Sequence, residues 1–266
     1  MQDLKTCAIE PTQNGLIAVG GIEGGIYVGE INTNNTDRKE DNNNIKKHSG
    51  HQGSVNSIRF LDHFFMISGS SDSLILLWDL NSQGKYLNSY HDHSSEILGL
   101  DVCELNPNFF ASASGDTTVK LWDIRDKKPC ISTFKGCDSS VNCVRFVPGT
   151  FCTLAAGSEE GVIRLYDMRA YGILAEYGKK PEKLNIGLNK NLSNVNNNQQ
   201  VISQSINSIC FSKSGQIMFS SSNNSNVITY WNVFNSEFPL GEYKHVFSDY
   251  FFSSYFCKNQ FLNNLG

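Results

Sequence analysis

The 266-residue chain lacks an excess of positive charge. Its 22 Lys and Arg residues stand against 26 Asp and Glu residues, which gives a formal net charge of −4. Proteins that bind nucleic acid need basic surfaces that neutralise phosphates, so this balance argues against nucleic acid as a partner. The 39% of hydrophobic residues are enough to build a folded core.

Long apolar runs are also missing. The longest, such as residues 64–67, are far shorter than the roughly 20 residues that a membrane-spanning helix needs. The first residues lack the charged start and apolar stretch of a signal peptide. We therefore expect a cytoplasmic protein without direct membrane insertion.

The eight Cys residues form no CxxC pair, and most of them lie within apolar runs. This pattern is typical of small buried side chains and not of zinc ligands or disulfides. We expect no metal site and no cofactor.

The chain repeats itself at intervals of about 44 residues, a period typical of repeat architectures. Four segments that alternate apolar with small or polar residues superpose, at 55–60, 97–102, 141–146 and 206–211. A second set follows them, at 76–80, 120–124, 164–168 and 229–233. Two-residue periodicity with Gly, Ser and Asp turns predicts β-strands.

A repeat of this length holds about four short strands, as one blade of a β-propeller does. Gly-His or Asp-His opens two of the repeats, at 50–51 and 92–93, and Trp-Asp closes them, at 78–79 and 122–123. These dipeptides resemble those of WD-repeat proteins, and the resemblance implies an all-β propeller. We count five recognisable blades, at about residues 4–31, 51–80, 93–124, 137–168 and 205–233.

Each of these two Trp-Asp repeats can form a chain of hydrogen bonds. A buried Trp indole N–H needs an acceptor, which a Ser of the neighbouring strand can supply. A His can bond the same hydroxyl, and an Asp in the following turn can hold the imidazole. The predicted members are His51, Ser70 (with Ser68 as the alternative), Asp72 and Trp78, and then His93, Ser114 (with Ser112 as the alternative), Asp116 and Trp122.

The next repeat keeps this spacing with other residue types. Cys137 stands at the His position, Glu160 at the Asp position and Tyr166 at the Trp position. We expect its network to be weaker or absent.

Two polar tracts interrupt the repeats. Residues 32–47 and 179–204 are rich in Asn and other polar residues, cannot bury a core, and are predicted to be loops. We assign residues 1–240 to the propeller and residues 241–266 to a degenerate tail.

Several stretches resemble the β subunit of heterotrimeric G proteins more closely than WD-repeat proteins in general. The first stretch combines residues 7–8, Pro11 and residues 20–22. The other four stretches are residues 114–118, 139–146, 163–170 and 211–215. The polar loop before Lys46 and the run 96–101 are more similar to the divergent β type that pairs with RGS proteins. The resemblance implies a seven-bladed propeller, of which this chain matches blades two to six. We therefore expect a fold that is incomplete at both ends.

The resemblance implies partners and a surface for them. The partners would be a Gγ subunit or an RGS protein with a Gγ-like domain, a Gα subunit and effectors, which could bring the chain to the inner face of the plasma membrane. The partner surface would be the narrow top, here Ile22, Gly24, Ser54, Glu96, Leu98, Ser140, Asn142 and Glu159. Ser54 replaces a usual aromatic residue and Ser140 a usual acidic one, so we expect weaker binding to Gα.

Two other functions compete with this interpretation. Catalysis is disfavoured, because His51 and His93 already belong to the predicted networks and residues 172–180 have the wrong spacing for a phosphate loop. A generic WD-repeat scaffold, such as the substrate-recognition subunit of a ubiquitin ligase, is the stronger alternative. It would dock peptides on the same top surface, because one fold can carry many functions.

Overall fold

The computed structural model describes residues 3–10, 15–30, 45–82, 84–178, 204–222, 227–235 and 238–244. Within these ranges the regular structure consists of twenty β-strands in five four-stranded antiparallel sheets. No helix in the described ranges is long and apolar enough to cross a membrane. The predicted all-β propeller architecture is confirmed.

Each sheet is a meander whose strands pair in chain order. Sheet 1 contains β1 (Leu4–Ile9), β2 (Leu16–Gly21), β3 (Gly25–Glu30) and β4 (Lys46–Ser49). Sheet 2 contains β5 (Val55–Phe60), β6 (Phe65–Ser70), β7 (Ile75–Asp79) and β8 (Tyr86–Tyr90). Sheet 3 contains β9 (Ile97–Val102), β10 (Phe109–Ser114), β11 (Val119–Asp123) and β12 (Cys130–Phe134).

The last two sheets follow the same plan. Sheet 4 contains β13 (Val141–Phe146), β14 (Thr153–Ser158), β15 (Ile163–Asp167) and β16 (Gly172–Tyr177). Sheet 5 contains β17 (Ile206–Phe211), β18 (Ile217–Ser222), β19 (Val227–Asn232) and β20 (Gly241–Lys244). The first strands of consecutive sheets, from β1 to β17, pack against one another in succession.

The core lies between the sheets. Four apolar clusters fill the spaces between sheets 1 and 2, 2 and 3, 3 and 4, and 4 and 5. The middle strands β6, β10 and β14 carry no charged residue and are buried on both faces. Small residues are needed there, because side chains of a strand point alternately to the two faces and both faces meet a neighbouring sheet.

Glycine allows the closest approaches between sheets. A Cβ atom at Gly20 of β2 would lie 2.7 Å from Val55 Cγ1 of sheet 2, and one at Gly157 of β14 would lie 2.5 Å from Ile206 Cγ2 of sheet 5. In both places the first residue of an inner strand fills the space that the glycine leaves open.

Polar side chains also join neighbouring sheets. The Asn56 amide donates to the carbonyl oxygen of Ile97 at 2.8 Å, which links sheets 2 and 3. The Asn142 amide donates to the carbonyl oxygen of Ile206 at 3.0 Å, which links sheets 4 and 5. These bonds fix the starts of the inner strands relative to one another.

Asp101 lies between three sheets. Its carboxylate accepts from Arg59 Nε of sheet 2 at 3.3 Å and from the backbone N–H of Phe146 of sheet 4 at 2.9 Å. Since Asp101 belongs to β9 of sheet 3, one side chain holds three successive inner strands together.

The predicted boundaries are corrected at the outer strands. The blade ranges 51–80, 93–124 and 137–168 end before β8, β12 and β16, which belong to sheets 2 to 4. Residues 46–47, assigned to the first polar loop, form part of β4, and residues 241–244, assigned to the tail, form β20. Both strands pair on one side only and β4 is largely exposed, so their polar sequences did not signal a strand. The remaining parts of both loops, residues 32–44 and 179–203, and residues 245–266 lie outside the described residues.

We predict that Gly20→Ala lowers the free energy of unfolding by about 1–3 kcal/mol, because the new methyl group would overlap Val55. Gly21→Ala is the matched control in the same strand, since its Cβ would meet no atom closer than 3.5 Å. Urea unfolding of the full chain measures both. Equal effects of the two substitutions would contradict the proposed close packing of sheets 1 and 2.

Candidate partner-binding surface

A chain of hydrogen bonds crosses sheet 2. Trp78 Nε1 donates to Ser68 Oγ at 2.8 Å, and His51 Nε2 lies 2.7 Å from the same oxygen. His51 Nδ1 lies 3.0 Å from Asp72 Oδ2. The Trp78 and Ser68 side chains are fully buried. Each polar group therefore satisfies the next in a place that water does not reach.

Sheet 3 repeats the arrangement. Trp122 Nε1 donates to Ser112 Oγ at 2.8 Å, and His93 Nε2 lies 2.6 Å from that oxygen. His93 Nδ1 lies 2.7 Å from Asp116 Oδ2. The two networks are equivalent, atom for atom.

The serine in each network differs from the one that we selected. Ser68 and Ser112 hold the indoles, whereas Ser70 and Ser114 accept from the backbone N–H groups of Asp72 and Asp116, at 3.2 and 3.1 Å. The reason is strand register. Trp78 pairs with Met66, so Ser68 is two residues along the strand and Ser70 is four residues along it, beyond the reach of the indole.

The two networks fix the loops at one end of the sheets. Asp72 also accepts from the backbone N–H of Gln52 at 2.9 Å, and Asp116 accepts from that of Ser94 at 3.1 Å. Each carboxylate therefore joins the turn after the second strand to the loop before the first strand. These are the segments that carry the predicted partner-binding residues.

The same contacts set the charge states of the networks. Burial opposes ionisation of Asp72, but the hydrogen bonds from His51, Gln52 and Leu74 outweigh it and lower the pKa of the carboxyl to about 2. Burial lowers the pKa of His93, against the opposing effect of Asp116. The structure thus favours an ionised Asp72 and a neutral His93 at neutral pH.

In sheet 4 the substituted residues do not form the four-membered chain, which agrees with our expectation of a weaker or absent network. Cys137 Sγ lies 3.4 Å from the Tyr166 hydroxyl, and both residues are buried. Glu160 is bonded to Arg164, whose guanidinium also donates to Glu176 at 2.9 Å. The Arg164 side chain is 4% exposed, so this repeat contains a buried, ion-paired guanidinium group.

Three residues of the sheet networks were not found from the sequence. Arg164 is equivalent to Lys120 of sheet 3, which pairs with Asp92 at 2.6 Å. The signal for Arg164 is therefore a basic residue two positions before the aromatic residue, whereas Glu176 has no such signal. Ser220 accepts from Trp231 Nε1 at 3.0 Å in sheet 5. Its signal is a Ser ten or eleven residues before the Trp, as with Ser68 and Ser112.

The structure places all eight predicted partner-binding residues at one end of the sheets, which we call the top. Antiparallel strands bring the starts of the first strands and the turns after the second strands to the same end. Before or within first strands lie Ser54, Glu96, Leu98, Ser140 and Asn142, and in the turns lie Ile22, Gly24 and Glu159.

These residues differ in how far they are available to a partner. Ile22 is 50% exposed, and Glu159 is exposed as well. Asn142 uses its amide to hold sheet 5, as described above. Gly24 has a φ of +82°, and a Cβ there would collide with the His51 carbonyl, so this glycine shapes its turn.

A polar cluster joins the tops of sheets 1 to 3. Lys5 Nζ donates to Ser54 Oγ at 3.2 Å, and Ser54 Oγ lies 2.9 Å from Ser71 Oγ. Ser71 Oγ donates to Glu96 at 3.2 Å and accepts from the Asn56 amide at 3.1 Å. These five residues place hydroxyl, amide, ammonium and carboxylate groups at the top of sheets 1 to 3.

No group of His, Cys, Asp and Glu side chains in the described ranges could hold a metal ion. No disulfide joins the Cys residues of the same ranges.

We predict that Asp72→Asn lowers the free energy of unfolding at neutral pH by about 1–3 kcal/mol, because it removes a charged acceptor from a buried network. The folded-state pKa of about 2 lies below the ordinary 3.8, so this stability exists above pH 3.8 and is lost as pH falls towards 2. Urea unfolding across this range should show the difference from wild type shrink. Asp126→Asn in an exposed turn is the control, and a pH-independent difference would contradict the assignment.

Comparison with known proteins agrees with this geometry. A family model described as "WD domain, G-beta repeat" matches residues 42–79, 84–123, 128–167 and 197–232. The guanine nucleotide-binding protein β subunit of Oryza sativa subsp. japonica is 28% identical over 242 residues, which cover 88% of this chain and 58% of the relative. The β subunit of Arabidopsis thaliana is 26% identical over 245 residues, with the same coverage.

The corresponding subunit of Saccharomyces cerevisiae is 25% identical over 235 residues, which cover 81% of this chain and 54% of the relative. The chain therefore spans less than two thirds of the length of these relatives. With four matched repeats and five four-stranded sheets, it belongs to the WD-repeat family and is similar to G-protein β subunits.

Proposed function

We propose that this protein is a non-catalytic signalling protein of the G-protein β-subunit type. Its partners would be a Gγ subunit or an RGS protein with a Gγ-like domain, a Gα subunit and effectors. The observation that carries the proposal is similarity to G-protein β subunits of plants and yeast over 81–88% of the chain. Because the chain spans only 54–58% of these relatives, each partner is part of the proposal.

The burial of the Ser68 hydroxyl supports a non-catalytic function. Ser68, His51 and Asp72 have the connectivity of a catalytic triad, with separations of 2.7 and 3.0 Å. Ser68 is fully buried, however, and its hydroxyl already accepts from Trp78. A nucleophile must reach its substrate, so we assign these three residues a structural function in the hydrogen-bond network.

We propose the top as the partner surface. Ile22 is an exposed apolar residue of this surface. The polar cluster of Lys5, Ser54, Asn56, Ser71 and Glu96 lies at the same end of sheets 1 to 3. Without an aromatic anchor at Ser54, a Gα partner would bind mainly through polar contacts. Such contacts give specificity more than affinity, so we expect weaker Gα binding than in proteins with an aromatic residue there.

Charge and partners together suggest a location. A net charge of −4 gives no general attraction to anionic lipid or nucleic acid. We infer a cytoplasmic protein that reaches the inner face of the plasma membrane through its partners, without nucleic-acid binding or membrane insertion of its own.

A generic WD-repeat scaffold, such as a substrate-recognition subunit of a ubiquitin ligase, is the second candidate. The hydroxyl-rich cluster around Ser54 and Ser71 favours it, because these groups can bind the polar side chains or backbone of a peptide. Such a scaffold would need neither a Gγ nor a Gα subunit.

Co-expression distinguishes the two candidates. The chain is expressed with a Gγ subunit, with an RGS protein that carries a Gγ-like domain, or alone, and each sample is analysed by size-exclusion chromatography. We expect one monodisperse complex with one of the two partners, and that partner identifies the β type.

Variants then locate the Gα contact on such a complex. Ile22→Asp at the top should weaken Gα binding about tenfold or more, as loss of an interface anchor does. Ile131→Asp is the matched control, since Ile131 is 40% exposed on the outer strand β12. A folded chain that forms no complex with either γ-type partner would contradict the proposal and favour the scaffold.

A further inference from the structure

We propose that a groove between sheets 4 and 5, at the end opposite the top, is a second docking surface for an extended, uncharged apolar segment of a partner protein. The inference is independent of the proposed function. It rests on the shape, burial and charge of the groove.

The groove has a volume of about 370 Å³ and is lined by turns and strands of both sheets. Pro148 and Thr150 come from the turn after β13, Gly215 from the turn after β17, and Phe234 from the end of sheet 5. Because β13 begins at the top, the turn after it lies at the opposite end. A partner in the groove would not compete with one on the top surface.

Two exposed apolar side chains flank the groove. Leu174 is 56% exposed and Phe234 is 81% exposed. Leu174 is the extra residue of a β-bulge, because Ala175 pairs with Leu165 and Ile173 pairs with Tyr166. A bulge redirects a side chain. The same bulge occurs at Leu87 of β8 and Ile131 of β12, so the position of Leu174 beside the groove, and not the bulge itself, distinguishes it.

The inner wall of the groove is held rigidly. The Tyr177 hydroxyl donates to the carbonyl oxygen of Val233 at 2.7 Å and so joins sheets 4 and 5. The Tyr177 ring packs edge-on against Trp231, with centroids 5.7 Å apart, and Tyr177 is fully buried. Because this wall is ordered before binding, less conformational entropy is lost when a ligand binds.

The uncharged lining favours an uncharged ligand. The described residues of the lining supply apolar surface and the hydroxyl groups of Thr150, Thr153 and Ser214, and none of these residues carries a carboxylate, ammonium or guanidinium group. Burial raises the pKa of Tyr177 to about 12, so this residue stays neutral. A charged side chain inserted here would lose its hydration without gaining an ionic partner. Uncharged apolar side chains match the lining.

The neighbouring strand edge explains why the ligand should be extended. Among the described strands, β16 is the edge strand of sheet 4, and a depression along Ile173, Leu174, Ala175 and Glu176 adjoins the groove. An extended segment can add to a sheet edge through its main chain while alternate side chains enter a pocket. Leu174 and Ala175 line both the depression and the groove, so one segment can occupy both.

A titration with a defined peptide tests the proposal. The probe is an end-blocked hexapeptide that alternates leucine with threonine, and isothermal titration calorimetry measures its binding to the full chain. We expect saturable binding with a dissociation constant below about 1 mM. A peptide that alternates aspartate with threonine should bind at least about tenfold more weakly, because the lining offers its charges no partner.

Matched variants locate the binding. Leu174→Asp and Phe234→Asp should each weaken binding about tenfold or more, and both residues are exposed enough for the fold to tolerate the change. Leu87→Asp is the control, because Leu87 is the bulged residue of β8 in sheet 2 and is 55% exposed. Thermal unfolding verifies that each variant is folded. No saturable binding by wild type, undiminished binding by Leu174→Asp, or equal loss in Leu87→Asp would overturn the proposal.

Discussion

Every middle strand of sheets 2 to 4 is buried on both faces, so each of these sheets depends on the two sheets beside it. The apolar clusters lie between sheets and not within them. Val55 fits against Gly20, and Ile206 fits against Gly157, because the second strands leave space there. Asp101 adds polar contacts to the sheets on either side of it. Stability in this fold is therefore a property of neighbouring pairs of sheets.

This constraint also determines the polar interior. A Trp that fills the space between two sheets brings an N–H group into a dry environment, where an unpaired donor is costly. Ser68 and His51 satisfy it in sheet 2, and Asp72 carries the connection to the surface. The same bonds that complete the core hold the top loops in place. A binding surface built on these loops is thus ordered before any partner arrives.

Repetition made much of the fold predictable. The alternating segments and the Trp-Asp dipeptides predicted five sheets, because each repeat must bury the same faces in the same way. The choice of Ser70 over Ser68 failed, since a dipeptide spacing does not fix strand register. The outer strands β4, β8, β12, β16 and β20 lie outside the predicted blade ranges, because strands paired on one side tolerate polar residues and so repeat less regularly.

The sites specific to single sheets were harder to predict. Arg164 of sheet 4 pairs with Glu160 and Glu176, and the repeat pattern indicates only its basic position, which Lys120 shares in sheet 3. The groove between sheets 4 and 5 depends on Tyr177 meeting Val233, which are 56 residues apart in the sequence. Such contacts form only when two sheets pack together, so the local periodicity of the sequence does not predict them.

The central claim is that each sheet is stable only with its neighbours, and hydrogen exchange of the indole N–H groups tests it most directly. NMR can follow Trp78 of sheet 2 and Trp122 of sheet 3 in the wild type and in Asp116→Ala, which damages the network of sheet 3 alone. Mutual dependence predicts that both indoles exchange faster, by a similar factor, because the two sheets open together. Faster exchange confined to Trp122 would contradict the account, since sheet 2 would then be stable without an intact sheet 3.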